Sequence, residues 1–399
     1  MAHPPLNIGI AGAGIGGLTV ASLLADQGHR VTVFDQFETP QSVGSGLVIQ
    51  PVGRRVLDVV GAGGAARAYG HNIKRMLGYE TARGSRVLDV SYGTSYGLAI
   101  HRAALFDSLL NAAQTRDITL QQSRHVTGRT DQHLEFEDGT RAGPFDLIID
   151  ASGARSILSP LKPRALPFGA IWTSIDWPDT DVPLGELSQR YTRANRMIGV
   201  MPMGTMPGES KQKAALFWSL PQDSYDDWRL RGLDHWKQEA QTLWPALEPF
   251  LEQIVSADQM TMARYTHGKL RRPFGDGIAY IGDAAHRASP QLGQGANMAL
   301  LDAWALSEAL KYFPVKKALP AYARARRGHV TAYQWMSAAF TPFYQSSSKI
   351  LPVLRDRVMC PLSMLPPTKQ ILTAMVKGTM LPPLGYLTPM NHPKNRDDI

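Results

Sequence analysis

The sequence predicts an α/β protein: a Rossmann-like domain with a GxGxxG turn, an inserted β-sheet domain, and a C-terminal helical segment. Three observations lead there. A glycine-rich turn separates two strand-like runs at the N-terminus, a second strand–glycine–helix pattern recurs about 270 residues later, and strand-like segments fill the stretch between. At 399 residues the chain is long for one core and suits two domains with an appendage. The expected division is a discontinuous nucleotide-binding domain from residues 1–163 and 276–312, a substrate domain over 164–275, and a helical cap and tail over 313–399.

The first signal reads LNIGIAGAGIGGLTVASLLADQGHRVTVFDQ. Residues 6–11 form a short apolar strand, 12–17 the turn and 18–27 a helix that Gly28 ends; 31–34 is a second, β-branched strand closing in Asp35. Gly12 permits the tight turn, Gly14 lets the backbone approach a pyrophosphate, and Gly17 lets the helix lie close to the strand. The N–H groups from Ile15 onward then present the positive end of a helix to phosphate. Asp35 stands where a carboxylate accepts hydrogen bonds from ribose hydroxyls, and it would repel a 2′-phosphate. FAD or NAD therefore suits this site better than NADP.

The middle of the chain reads as strands at AIWTSIDW, QRYTRANRMIGVMPM and KAALFWSLP, followed by a helical stretch over 226–255 that breaks at Pro245. Trp172, Tyr191, Met201, Phe217 and Trp218 are the candidates for an aromatic pocket, each with packing as the competing role.

The second signal is GIAYIGDAAHRASPQLGQGANMALLDAWALSEAL. Residues 278–281 form a strand, Gly282-Asp283 closes it, and a Pro/Gly-rich loop leads into a helix. Such a second site, built from distant chain, fits an extended cofactor. Asp283 would bond ribityl hydroxyls, while Gly293, Gly295, Ala296 and Asn297 would bring backbone N–H groups and a helix N-terminus to a flavin edge that turns negative on reduction.

With these residues in place, the chain resembles the FAD-dependent monooxygenases of the p-hydroxybenzoate hydroxylase type, which include the ubiquinone-biosynthesis hydroxylases. Four segments in order carry the resemblance: Gly12–Gly17 with Asp35, IHRAALFDSLL around Arg102, DLIIDASGARS, and GDAAHRASPQLGQGANMALLDA. The resemblance implies that Arg102 lies against the phosphate or flavin portion, that Val126 meets adenine through backbone, and that Pro290 sits beside the flavin's oxygen-reactive position. His286 is close by, in a place where a histidine more often serves structure than catalysis. The resemblance also implies the reaction: NADPH or NADH reduces FAD, O2 adds to give a C4a-hydroperoxide, and one oxygen passes to an aromatic or quinone-like small molecule. The protein's part is a dry pocket that shields this chemistry. One departure stands out. Where the family has Ala-Asp-Gly, this chain has Ala151-Ser152-Gly153, with Asp150 two residues earlier. FAD binding is expected to survive, and reduction by nicotinamide to differ from the usual pattern.

Other classes fit less well. The net charge of +8 comes from scattered basic residues, so no nucleic acid is expected as a partner. The single cysteine, Cys360, excludes an intrachain disulfide or a thiolate cluster, and no metal site is expected. Without a signal-like start or a long apolar run, the expected location is cytoplasmic. Residues 341–387 mix apolar runs with basic residues and prolines, which reads either as a helical cap on the first domain or as a peripheral membrane contact or lid over a lipophilic substrate. The remaining alternatives are a flavin halogenase, disfavoured by the lack of a Trp-x-Trp-x-Ile-Pro run, a double-bond reductase, and a flavin-binding protein acting through a partner. The sequence does not fix an oligomeric state.

Overall fold

The computed structural model describes residues 4–38 and 45–387. Its centre is a six-stranded sheet ordered Phe274–Gly275, Ile278–Tyr280, Leu147–Asp150, Asn7–Ala11, Arg30–Phe34, Ile118–Gln121. All its pairings are parallel except the one at the Phe274–Gly275 edge. Parallel strands are covered on both faces, and their side chains divide accordingly. Ile8, Ile10, Val31, Val33, Leu147 and Ile149 join one core with the helices Ile15–Ala25 and Gly295–Tyr312. Phe34, Ile148, Ile278 and Tyr280 point the other way, into a core shared with the small sheet that contains Val126–Thr130 and His133–Phe136.

A seven-stranded sheet forms the second layer system, ordered Thr261–Ala263, Phe168–Asp176, Lys213–Pro221, Arg196–Gly204, Glu186–Thr192, Arg75–Glu80, Arg86–Ser91. This corrects the sequence-based boundary, because the hairpin within residues 75–91 belongs to this sheet. Arg75–Glu80 pairs in parallel with Glu186–Thr192, a long-range pairing that leaves no local sequence signal. The expected helical stretch after residue 225 is split at Gly232, at φ 85°, as well as before Pro245.

Period-two alternation sorts the aromatic candidates. Phe217 and Trp172 face one side of the sheet and stack at 4.5 Å. Trp218 faces the other, meeting Trp236 edge-on at 6.1 Å beneath the helices Tyr225–Arg231 and Leu233–Leu243.

A 30-residue helix, Val315–Tyr344, then runs on through Pro320 and Pro342, where shorter pieces were expected near Pro342. Beyond it the expected breaks are fewer: one helical run, Leu351–Leu354, a π turn Arg355–Met359 and Cys360–Ser363, continues through Pro361, and the chain breaks only around Pro366-Pro367 before Thr368–Lys377. This segment covers more than the first domain, since Thr373 Oγ1 donates to Ser91 O at 3.0 Å and Tyr344 OH to Val87 O at 3.4 Å. It roofs the hairpin side of the seven-stranded sheet.

Candidate functional site

The glycine turn is held by contacts that tolerate nothing larger. Gly12 has φ +99°, donates its N–H to Phe34 O at 2.8 Å, and a Cβ there would lie 2.8 Å from Ala151 O and Ser152 Cα. At Gly17 a Cβ would lie 1.9 Å from Gly12 O. Gly14 is the opposite case, with nothing among the described residues within 4 Å of a Cβ position, and the same holds at Gly153 and Gly295. These open glycines make a cradle beside the starts of two helices, Ile15–Ala25 and Gly295–Tyr312, neither with an acidic residue in its first turn. Glycines hemmed in behind and open in front fit a pyrophosphate-bearing cofactor such as FAD.

Asp35 shapes that turn directly. Its Oδ2 accepts the N–H of Ala13 at 2.8 Å and its Oδ1 that of Phe37 at 3.0 Å. Its backbone carbonyl accepts from Arg124 N at 2.7 Å, bringing the approach to Val126 beside it. Arg102 begins the helix Arg102–Gln114. Burial lowers the pKa of Arg102 and the carboxylate of Asp283 opposes the shift, so the two come close enough to interact.

The LIIDASGARS segment lies against the glycine turn. Asp150, fully buried, accepts from Ser152 N at 3.1 Å and Ser152 Oγ at 2.6 Å, and from Ser156 Oγ. Burial raises its pKa, and these serine donors and Arg287 pull the other way. The turn therefore keeps a carboxylate at its base, supplied from Asp150 rather than from position 152.

At the second signal, Gly293 adopts φ +59° and ends the single turn Pro290–Leu292. The side chain of Asn297 has a role that the sequence reading did not assign. It is buried, with Oδ1 accepting from Gln50 N at 2.8 Å and Nδ2 donating to Val48 O at 3.1 Å and Gly293 O at 3.0 Å. It clamps the helix start to the strand Gly46–Ile49.

His286 is tied into a buried network. Its Nε2 lies 2.6 Å from Asp302 Oδ2, which also accepts from Gly282 N at 3.0 Å; Asp302 Oδ1 accepts from Arg326 Nε at 2.7 Å. Burial pushes Asp302 up, but His286 and Arg326 outweigh it and hold the carboxyl at about 2. Arg326 Nη1 donates to Pro383 O and faces His329 Nδ1 at 3.4 Å, while His329 Nε2 meets Gly378 O at 3.1 Å. Sequence reasoning missed this network. Its signal was an aspartate four residues after Met298, on the buried side of an apolar helix.

An apolar cavity of about 350 Å³ adjoins the second signal. Pro290, Gln291, Leu292 and Gly293 form one wall, Trp172, Phe217, Tyr191 and Met197 another, and Met359, Leu372 and Met375 the roof. Three of the five pocket candidates thus line it. Trp218 lies in the opposite core, and Met201, outside the lining, packs toward Gly46. The roof comes from the C-terminal segment that the sequence offered as a lid over a lipophilic substrate, whereas Tyr265, just past the strand Thr261–Ala263, and Gln345 were not among the sequence candidates.

The polar groups of this cavity are few. Trp172 Nε1 donates to Tyr265 OH at 3.1 Å, which leaves the phenol proton free, and burial pushes Tyr265 up to about 12. Gln345 Nε2 donates to Ser219 Oγ at 2.9 Å, whereas its Oε1 is buried with no hydrogen-bond partner among the described residues. Among the described residues Asp89 is the one charged residue in the lining, and Arg75 holds it bidentately at 2.7 and 2.6 Å. Arg355 lies behind the wall, over the rings of Tyr191 and Tyr344, with Nε on Asp356 at 2.6 Å and Nη1 on Phe343 O at 3.0 Å.

Comparison with known proteins agrees with this geometry. A family model described as FAD binding domain matches residues 6–334. The chain is 26% identical over 340 residues to 3-amino-4-hydroxybenzoate 2-monooxygenase of Streptomyces cremeus, covering 76% of this chain and 78% of that protein. It is also 26% identical to the probable 2-heptyl-3-hydroxy-4(1H)-quinolone synthase of Rhodococcus erythropolis, covering 94% of this chain and 97% of that one. Among solved structures, Klebsiella pneumoniae HpxO, complexed with FAD and uric acid, superimposes with TM-score 0.78 at 18% identity, over 94% of this chain and 97% of that one. 2-Methyl-3-hydroxypyridine-5-carboxylic acid oxygenase does so with TM-score 0.77 at 19% identity, over 93% and 96%. At such identities the two structures speak to the fold.

Proposed function

The chain belongs to the FAD-binding-domain family as an FAD-dependent aromatic hydroxylase, and from that premise we propose that NAD(P)H and O2 drive hydroxylation of an uncharged, apolar aromatic or quinone-like molecule in the 350 Å³ cavity. One observation carries this reading: the turn Pro290–Leu292 with Gly293 lines the cavity and also leads into the cradle at Gly295. Substrate and flavin would thus meet across a single turn.

When bound, FAD supplies the redox chemistry that activates oxygen. The glycine turn and Asp283 would hold its phosphate and ribityl portions, and the start of the helix Gly295–Tyr312 would stabilise negative charge on the ring. The apolar lining keeps water from the reacting atoms. Tyr265 offers a hydroxyl proton, and Gln345 Oε1 an unused acceptor, to orient a polar group on the substrate. A benzoate-type carboxylate finds no cation in the lining among the described residues, and burying an unpaired charge is costly. The quinolone-type name of the Rhodococcus relative is in keeping with a largely apolar substrate.

The test is a panel of neutral phenols, quinones and N-heterocycles beside hydroxybenzoates. Neutral apolar members should stimulate NAD(P)H oxidation and gain one oxygen in mass. Tyr265→Phe and Gln345→Met should raise KM more than they lower kcat. Preference for the hydroxybenzoates would defeat the substrate assignment, and a protein that takes up no FAD would defeat the whole reading.

A further inference from the structure

Ten of the sixteen large apolar side chains exposed among the described residues fall between Ile350 and Tyr386. They are not scattered along that stretch. On the helical run from Leu351 to Ser363, Pro352, Arg355 and Cys360 face inward, while Val353, Leu354, Val358 and Leu362 face out and Leu365 follows at 57% exposure. Ile371, on the next helix, is 52% exposed. A helix with apolar residues on both faces has one face without a partner.

The surrounding charge says what covers it. Lys349, Arg357 and Lys369 are exposed around this face, and the one acid within residues 341–387, Asp356, is taken by Arg355. A second copy of the face would bring these cations against their own kind, which is unfavourable. An apolar stripe rimmed by cations instead complements acyl chains beneath anionic headgroups. The same segment roofs the substrate cavity, and Leu362 both lines that cavity and is 52% exposed. The cavity mouth therefore opens at the patch.

We propose that residues 349–371 dock the protein on an anionic lipid bilayer, and that the apolar substrate passes from the bilayer into the cavity beside Leu362. The docking stands on the surface alone, and the passage rests on the function proposed above. No helix among the described residues is long and apolar enough to cross a membrane, so the contact is peripheral.

The experiment uses full-length, FAD-loaded protein sedimented with two kinds of vesicle: phosphatidylcholine alone, and equal parts phosphatidylcholine and phosphatidylglycerol. At about fivefold per cation near the surface, binding to the anionic vesicles should exceed binding to neutral ones by on the order of 100-fold. The triple variant Lys349→Gln, Arg357→Gln, Lys369→Gln should lose that margin. The double variant Val358→Asp, Leu365→Asp should lose vesicle binding altogether. Its FAD content and its NADPH oxidation with a water-soluble phenol should be unchanged, which reports that it has folded. Equal binding to both vesicles, or none, overturns the docking. So does a wild-type dimer that the double variant converts to monomer, since the face would then belong to a second copy. Vesicle binding without product from any aromatic upholds the docking and overturns the functional reading instead.

Discussion

Ser152 and Asp150 show how a family position can be vacated while a carboxylate stays at the base of the turn. The sequence exposed the substitution, and it placed Asp150 two residues away as a candidate replacement. It could not show where that carboxylate points, because the answer depends on Ser152 and Ser156 folding back onto it. Ser152→Ala removes the 2.6 Å donor from a buried carboxylate, at a cost of about 1–3 kcal/mol, and should loosen FAD because position 152 abuts Gly12. Denaturant unfolding and FAD titration measure the two effects, and wild-type values in both would show that the hydroxyl is dispensable. Ser152→Asp sharpens the point. It sets a second carboxylate against Asp150, so it should slow flavin reduction by NADPH rather than restore the family pattern. An unchanged reduction rate in stopped-flow would mean that position 152 has no hold on that step. The glycines were legible for a different reason: Gly12 and Gly17 answer local steric demands that the spacing itself encodes.

The element that ties the molecule together was the least visible in the sequence. The helices Gly295–Tyr312 and Val315–Tyr344 both read as helical, but the bond between Asp302 and Arg326, and the onward contact from His329 to Gly378, join residues up to 76 positions apart. Arg326→Met strands a buried charge at Asp302, and such losses cost about 3–5 kcal/mol. The lock also has a pH signature. Burial and the neighbouring Arg326 hold His329 at about 3, below the histidine reference of 6.5, so its stabilising contribution is complete above pH 6.5 and drains away as pH falls toward 3. The pKa of Asp302 is likewise depressed, from 3.8 to about 2, so its share is lost below pH 3.8. Thermal midpoints should therefore fall from pH 7 to pH 4, mainly through His329. His329→Gln, which can still donate to Gly378 O, should flatten that slope. An equally steep slope in the variant would place the acid lability elsewhere.

For the whole molecule, the cofactor half follows local rules of spacing, while the substrate cavity is assembled from pieces far apart in the chain. Trp172 and Phe217 were legible because alternation puts them on one face, and the same alternation should have excluded Trp218. The hairpin within 75–91 was not legible, since it carries no mark of the sheet it joins, and the roof from 359–376 was legible only as one of several roles open to the C-terminal segment. Their joint product is a chamber lined by Met76, Val90, Met197, Leu187, Leu372 and Met375, where apolar area rather than charge pairing holds a ligand. That makes a graded prediction about substrates. Each methylene buried on transfer from water is worth about 0.8 kcal/mol, close to a fourfold change in binding. Across phenols or quinolones bearing alkyl chains of increasing length, KM for NAD(P)H-dependent oxygen insertion should fall about fourfold per methylene, then level off once the 350 Å³ is filled. Leu372→Ala enlarges the chamber and should move the levelling point to a longer chain, leaving the initial slope unchanged. A KM indifferent to chain length would mean that the chain never enters this cavity, and a levelling point unmoved by Leu372→Ala would mean that the roof is not its limit.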